Sequence, residues 1–334
     1  MMASPHIVGI GSGIVAAVLF ASLATNTALA MLLFYVTPLP ILLARLGWGR
    51  VAGQLSFVTA VVLVGVILSL RTAVLYGVTI GLPALFLAYL TLLNRSMIPE
   101  DAEGRPLTDM PPVVEWYPPG HVIAWAALMA GGMAATSLLL LSGGAEAYHR
   151  GVREVFEQGV LPQFEAAGVP LDALRAERYV AIFSRLLLPM IAAVFWMAVM
   201  LLNLWLAARS AAISGLLPRP WPAFANLEYP PLMTLGFLAS IGAALLPGMP
   251  GIMAMAFIGA FGLAYLLLGL VVLHQLLAGN PLKPLLLAGV YLALIVMVQW
   301  AAVAVALIGL AEPLLELRQR ALRRSAPPPK GGGT

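Results

Sequence analysis

Residues Phe34 to Arg50 read FYVTPLPILLARLGWGR. The stretch opens as membrane-grade apolar sequence, carries Pro38 and Pro40 one residue apart, and ends on Arg45, Trp48 and Arg50. A proline has no amide hydrogen and crowds the carbonyl four residues before it, so two prolines interrupt a helix near Phe34 and Val36. Inside a bilayer no water is present to satisfy the freed carbonyls. Pro38 and Pro40 therefore predict a kinked helix that breaks against neighbouring helices or a cavity, not against lipid. The arginines and tryptophan that follow predict a cytoplasmic membrane–water interface at that end.

Composition places the whole chain in the same setting. Of 334 residues, 61% are hydrophobic and 10% are charged, against about 25% charged in a soluble domain. The mean hydropathy is +0.97. The expected fold class is all-α, a polytopic transmembrane helical bundle whose main partner is the lipid bilayer. The chain has no cysteine, which excludes disulfides, thiolate nucleophiles and cysteine metal sites. Its formal charge of +4 comes from arginines at helix ends and in the tail, a membrane-surface pattern rather than a nucleic-acid one. An apolar run over 7–21 precedes Ala28-Leu29-Ala30, but no lysine or arginine leads it, so two retained spans are expected instead of a cleaved leader.

Runs free of Asp, Glu, Lys and Arg cover 1–44, 51–70, 72–94, 116–145, 186–208, 229–282 and 284–311. A crossing needs about 20 residues. Run 1–44 holds two spans broken at Thr25-Asn26-Thr27, and run 229–282 holds two broken at Pro247-Gly248-Met249-Pro250-Gly251. The count is nine, or eight if 232–247 is only a partial or re-entrant helix. The distribution of Lys and Arg fits an outside N-terminus with nine spans and an inside one with eight equally well. Residues 95–115, with Pro99, Pro106, Pro111 and Pro112, read as an irregular loop. Over 145–161, Tyr148, Val152, Val155, Phe156, Val160 and Leu161 recur at helical spacing opposite His149, Arg150, Arg153, Glu154 and Glu157. That pattern predicts an amphipathic helix on the membrane or over a cavity mouth. The domain expectation is one transmembrane domain over 1–317 and a basic, Pro/Gly-rich disordered tail over 318–334.

Gly9, Gly13, Ala17 and Ala21 recur every four residues in the first span and form a helix-docking face, open to another helix of the chain or to a partner subunit. No Gly-x-x-x-x-Gly-Lys-Ser/Thr occurs, so no P-loop hydrolysis of ATP is expected. Glu146 and His149 form one Glu-x-x-His pair without a second, which reads as a solvated face; no metal and no cofactor is predicted. Polar groups in or beside spans are the candidate ligand-binding residues: Arg71, Arg185, Asn203 and His274. Asn203 and Gln299 can equally hold helices together, and the arginines can reach the interface. No acid lies well inside a span and no serine pairs locally with a histidine, so catalytic residues are not predicted and the chain is not read as an enzyme.

FYVTPLPILLARLGWG at 34–49, EWYPPGHVIAW at 115–125, NLWLAARS at 203–210, LPRPWP at 217–222, LLGLVVLHQLL at 267–277 and GLAEPLLELR at 309–318 together resemble the YybS-like family of bacterial predicted membrane proteins, a grouping of unknown function. The N-terminal part of that family is similar to the S components of energy-coupling-factor transporters. The resemblance implies an inner-membrane location and a six-span core over 7–208 with the N-terminus inside. It also implies a docking face for a membrane coupling subunit on the first helix, and 145–161 as an outer lid. The additional spans over 229–311 depart from that pattern. The expected function is binding or transport of a small molecule with partner subunits; the alternative is a membrane scaffold or assembly factor.

Overall fold

The computed structural model describes residues 4–98, 111–168 and 172–320. Among these, seven helices are long and apolar enough to cross a membrane: Pro5–Thr25, Ala28–Ile67, Leu70–Leu92, Pro119–Leu139, Arg175–Ile213, Met249–Leu276 and Val298–Leu315. The molecule is a helical, multi-pass membrane protein. The chain separates into two compact units, Met1–Ser137 with Ile191–Pro222, and Leu138–Met190 with Ala223–Thr334. Residues 138–190 group with the C-terminal helices.

The first unit begins with α1 (Pro5–Ala21), then a left-handed Asn26 (φ 51°) and α2 (Ala28–Tyr35), capped by Thr27 Oγ1 accepting from the Ala30 amide at 3.1 Å. The break predicted at 25–27 is there. The helix α3 (Pro38–Ile67) contains one non-helical residue, Gly49, at φ 87° and ψ −165°. The chain folds back at that glycine. A Cβ on Gly53 would lie 3.1 Å from the Arg45 Cα, whereas eight residues of continuous helix separate two residues by about 12 Å. Only glycine adopts that backbone region without strain.

The small-residue face of α1 lies against the second arm of this hairpin. A Cβ on Gly9 would sit 2.7 Å from the Ala52 carbonyl oxygen, and one on Gly13 2.6 Å from that of Ser56. Ala17 is fully buried and Ala21 half-buried. The stripe docks a helix, and the helix is the chain's own. Gly9 and Gly13 thus pack against the chain's own α3. The opposite face, with Ile7, Ile10, Ile14 and Val18, is exposed as a lipid-facing surface should be.

The unit continues with α4 (Leu70–Tyr76), α5 (Leu82–Leu92), a two-stranded ribbon and α6 (Pro119–Ser142). The ribbon pairs β1 (Asn94–Met97) with β2 (Val113–Trp116), antiparallel, with Arg95 opposite Glu115 and bonded to it at 2.6 Å. Its presence corrects the irregular loop expected over 95–115; residues 99–110, with Pro99 and Pro106, lie outside the described residues. The valines and the cross-strand ion pair make a ribbon favourable where the prolines alone suggest none.

In the second unit, α7 (Ala145–Val155) and α8 (Leu161–Ala166) precede α9 (Ala173–Ile182) and α10 (Leu188–Ile213), which passes into the first unit. The amphipathic reading holds in part: Tyr148 and Val152 of α7 and Phe156 just after it are buried and Arg150 and Glu154 exposed, but Val155, expected on the apolar face, is 67% exposed. Its apolar side rests on protein, with Tyr148 and Val152 against Ile252, Met249, Phe183 and Leu188. Tyr148 donates its hydroxyl to the Ser184 carbonyl at 2.8 Å, and His149 Nδ1 lies 2.7 Å from Ser184 Oγ. Burial pushes the Tyr148 hydroxyl up to about 12, so it stays a donor.

The C-terminal helices are α11 (Pro231–Ala243), α12 (Met249–Leu276), α13 (Lys283–Val296) and α14 (Val298–Leu315). The break at 247–251 is present, with Gly248 at φ 70°. At 13 residues α11 is shorter than the roughly 20 residues of a full crossing. Run 284–311, expected as one span, is instead two helices separated by Met297 at φ −123° and ψ 46°. No proline or glycine marks that break. The helices α12 and α14 cross at glycine: a Cβ on Gly309 would collide with the Tyr265 carbonyl, and one on Gly269 with that of Val305.

Prolines place the wide turns. Each five-residue π turn, at Gly77–Gly81, Phe156–Val160 and Phe183–Leu187, ends two residues before a proline, namely Pro83, Pro162 and Pro189. The missing amide removes one rung of the ladder, and the turn widens around the gap.

Candidate functional site

The four residues singled out in the sequence fall in different environments. Arg71 is in the first turn of α4, exposed, and among the described residues it makes no hydrogen bond or ion pair. Arg185 is exposed in the π turn before Pro189, and its Nη2 reaches the Ala244 and Leu246 carbonyls at 3.4 and 3.5 Å, at the C-terminal end of α11. A cation there meets the negative end of the helix dipole.

Asn203 is buried at 2% exposure. Its Nδ2 donates to the Tyr35 carbonyl and to the Val199 carbonyl, each at 2.8 Å. The first bond resolves the Pro38–Pro40 break. Thr37 and Leu39 amides turn to the Phe34 and Val36 carbonyls at 3.2 and 3.0 Å, leaving Tyr35 to a side chain. Seven residues earlier on α10, Trp196 Nε1 donates to the Thr79 carbonyl at 3.0 Å, the group Pro83 cannot satisfy. Positions 196 and 203 share one face of the helix, so α10 splints both proline-broken helices. Replacing Asn203 with Leu is expected to cost about 1–3 kcal/mol by orphaning the Tyr35 carbonyl. In a Pro38→Ala, Pro40→Ala background the same change should cost less, as the straightened helix reclaims its carbonyls. Equal costs in the two backgrounds, measured by chemical unfolding in detergent, would remove this role.

His274, near the C-terminal end of α12, leads to a group that the sequence pattern passes over. Its Nδ1 accompanies the Leu270 carbonyl at 2.8 Å and its Nε2 lies 3.5 Å from the Tyr291 hydroxyl. The next residue, Gln275, donates Nε2 to the Ala225 carbonyl. Arg318 Nη1 donates to the same carbonyl at 2.7 Å, and Arg318 Nε donates to Glu312 Oε1 at 2.6 Å. Glu312 is 5% exposed, and its Oε2 is buried without a hydrogen-bond partner among the described residues. His274 touches Tyr291, midway along α13, while Gln275 and Arg318 share the Ala225 carbonyl and Arg318 holds Glu312 in the last turn of α14.

Glu312 and Arg318 escape the linear reading for one local reason. An unbroken helix puts residues six apart about 120° from each other around the axis. Here Glu316 takes a left-handed conformation at φ 47°, and the chain returns Arg318 to Glu312. The expectation of a free tail from 318 is corrected to that extent; residues 321–334 lie outside the described residues. The acid that the sequence places beyond its last span sits inside Val298–Leu315. Chemically, the Glu312–Arg318 pair offers a carboxylate oxygen without a donor beside a fixed guanidinium, a set suited to a small ligand with a cationic or donor group.

No protein family, curated protein or solved structure matches this chain.

Proposed function

We propose that this protein binds and moves a small molecule across an inner (cytoplasmic) membrane, through the polar centre that Glu312 anchors. One observation carries the reading: a carboxylate at 5% exposure inside an apolar helix, with one oxygen held by Arg318 and the other without a donor. A carboxylate so buried is costly, and in membrane proteins an ionisable group within a spanning helix marks a substrate or ion path by default. The ligand class that completes Oε2 is a protonated amine, a metal cation or another donor-bearing metabolite. The resemblance of the N-terminal part to S components favours the same general role, while the occupied face of α1 supplies no support for a coupling subunit there.

The test is thermal unfolding of the purified protein across a panel of amines, monovalent and divalent cations and small metabolites. A ligand at a hundred times its Kd stabilises the wild type by about 2.7 kcal/mol. The double variant Glu312→Gln with Arg318→Met keeps the shape of the pair, removes both charges, and is expected to lose that response. A panel with no stabilising member, or a double variant that responds like wild type, sinks the reading.

The scaffold alternative uses the basic tail together with the ribbon, on and beside which Met97, Ile98, Val113 and Val114 are 41–57% exposed outside the spans. Truncation after Arg320 separates the two, since it spares the Glu312–Arg318 pair. A scaffold using the tail loses its partners in pull-down, and a transporter keeps its uptake.

A further inference from the structure

Among its described residues, the first unit holds a buried cation without an acidic partner. Its described arginines are Arg45, Arg50, Arg71, Arg95, Arg209 and Arg219, and the acid among its described residues is Glu115, already paired with Arg95. Arg219 is 8% exposed. A guanidinium carries five N–H donors; here Nη1 reaches the Thr91 carbonyl at 2.9 Å and the charged carbon lies 6.0 Å from the Trp116 ring. A carbonyl and an aromatic face hold the group in place but do not neutralise it, and a charge taken out of water without a counterion is unfavourable.

The surroundings say which anion fits. Arg219 follows α10, its carbonyl partner is in the last turn of α5, and Trp116 is in β2, so the group sits where helices end. Arg209, exposed on the last turns of α10, lies over Trp221 at 5.3 Å, two residues beyond Arg219. A Cβ on Gly47 would be 3.6 Å from Leu216, which brings the hairpin tip with Arg45, Trp48 and Arg50 to the same end of the unit. Tryptophan and arginine together mark head-group depth, and the anion present at that depth is phosphate. The planar fork of arginine also matches two phosphate oxygens at once.

We propose that Arg219 and Arg209 form a phosphate-binding site at this end of the first unit, filled by the head group of an anionic phospholipid. A free phosphate ester offers the same oxygens without the acyl chains, and the experiment separates the two sources. Full-length protein is reconstituted in nanodiscs of phosphatidylglycerol with phosphatidylcholine, released, and weighed by native mass spectrometry. Wild type is expected to retain phosphatidylglycerol over phosphatidylcholine. Arg219→Gln should lower that retention about tenfold and Arg209→Gln a few-fold, as lost fork contacts do. Arg95→Gln, whose charge is already paired, should leave it unchanged. In phosphatidylcholine discs with millimolar inorganic phosphate, bound phosphate that Arg219→Gln abolishes would keep the site and assign it to the free ester. Equal retention of both lipids by wild type with no bound phosphate overturns the proposal. So does retention in Arg209→Gln, an exposed position that spares the fold, equal to wild type.

Discussion

Arg318→Ala is expected to destabilise the protein by about 3–5 kcal/mol, one of the two largest effects predicted for a single substitution. The ion pair it breaks has side chains 12% and 5% exposed and an N–O distance of 2.6 Å. Removing the guanidinium leaves Glu312 as a buried charge with neither oxygen satisfied. It also takes one donor from the Ala225 carbonyl, though Gln275 still reaches that group. Glu312→Leu combined with Arg318→Met should recover most of the loss, because burying neither charge avoids the desolvation penalty altogether. Unfolding titrations in mixed detergent micelles measure both. A single variant within about 1 kcal/mol of wild type, the range of an exposed pair, would show that the pair is not buried in the membrane-embedded protein.

Gly309→Val should be comparably damaging, through shape instead of charge. The added side chain meets the Tyr265 carbonyl and the Gly269 amide nitrogen, which are backbone atoms on the facing helix and cannot rotate away. Overpacking in a close crossing costs about 1–3 kcal/mol when side chains yield, and more when helices must part. In a membrane the pair also loses the close backbone approach that holds it, since lipid supplies no hydrophobic drive to pull it back together. Gly289→Ala and Gly262→Ala are the controls, for a Cβ at either meets nothing within 4 Å. Yield of folded, monodisperse protein and its unfolding midpoint should fall for Gly309→Val and stay level for the controls. A normal midpoint for Gly309→Val would mean the α12–α14 crossing is looser than described.

Much of the architecture is written in apolar run length and in proline and glycine placement. The breaks at Thr25–Thr27 and Pro247–Gly251 follow from residues that stop helices locally, and each π turn precedes a proline that has no amide hydrogen to give. The double proline in FYVTPLPILLARLGWGR was legible as a break, but not the donor that would meet it. Asn203 lies 168 residues from Tyr35, and no spacing rule joins them. The candidate site was less legible still. His274 was visible as a histidine at a helix end, while Glu312 stood just past the last charge-free run, 284–311. Its burial depends on Glu316 turning the chain, a conformation that its residue type does not announce.

By itself, then, the sequence determined the solvent this chain folds in, the helical class, and most places where helices stop. These are local matters, set by transfer free energy per residue and by backbone groups that proline and glycine add or withhold. Tertiary structure alone decided what each exposed or freed group meets: the Gly9–Gly13 face its own hairpin arm, the Tyr35 and Thr79 carbonyls the two donors of α10, Glu312 its arginine, and Arg219 no acid among the described residues. Those outcomes depend on helices distant in the chain approaching to a few ångströms, and local periodicity carries no information about which ones do.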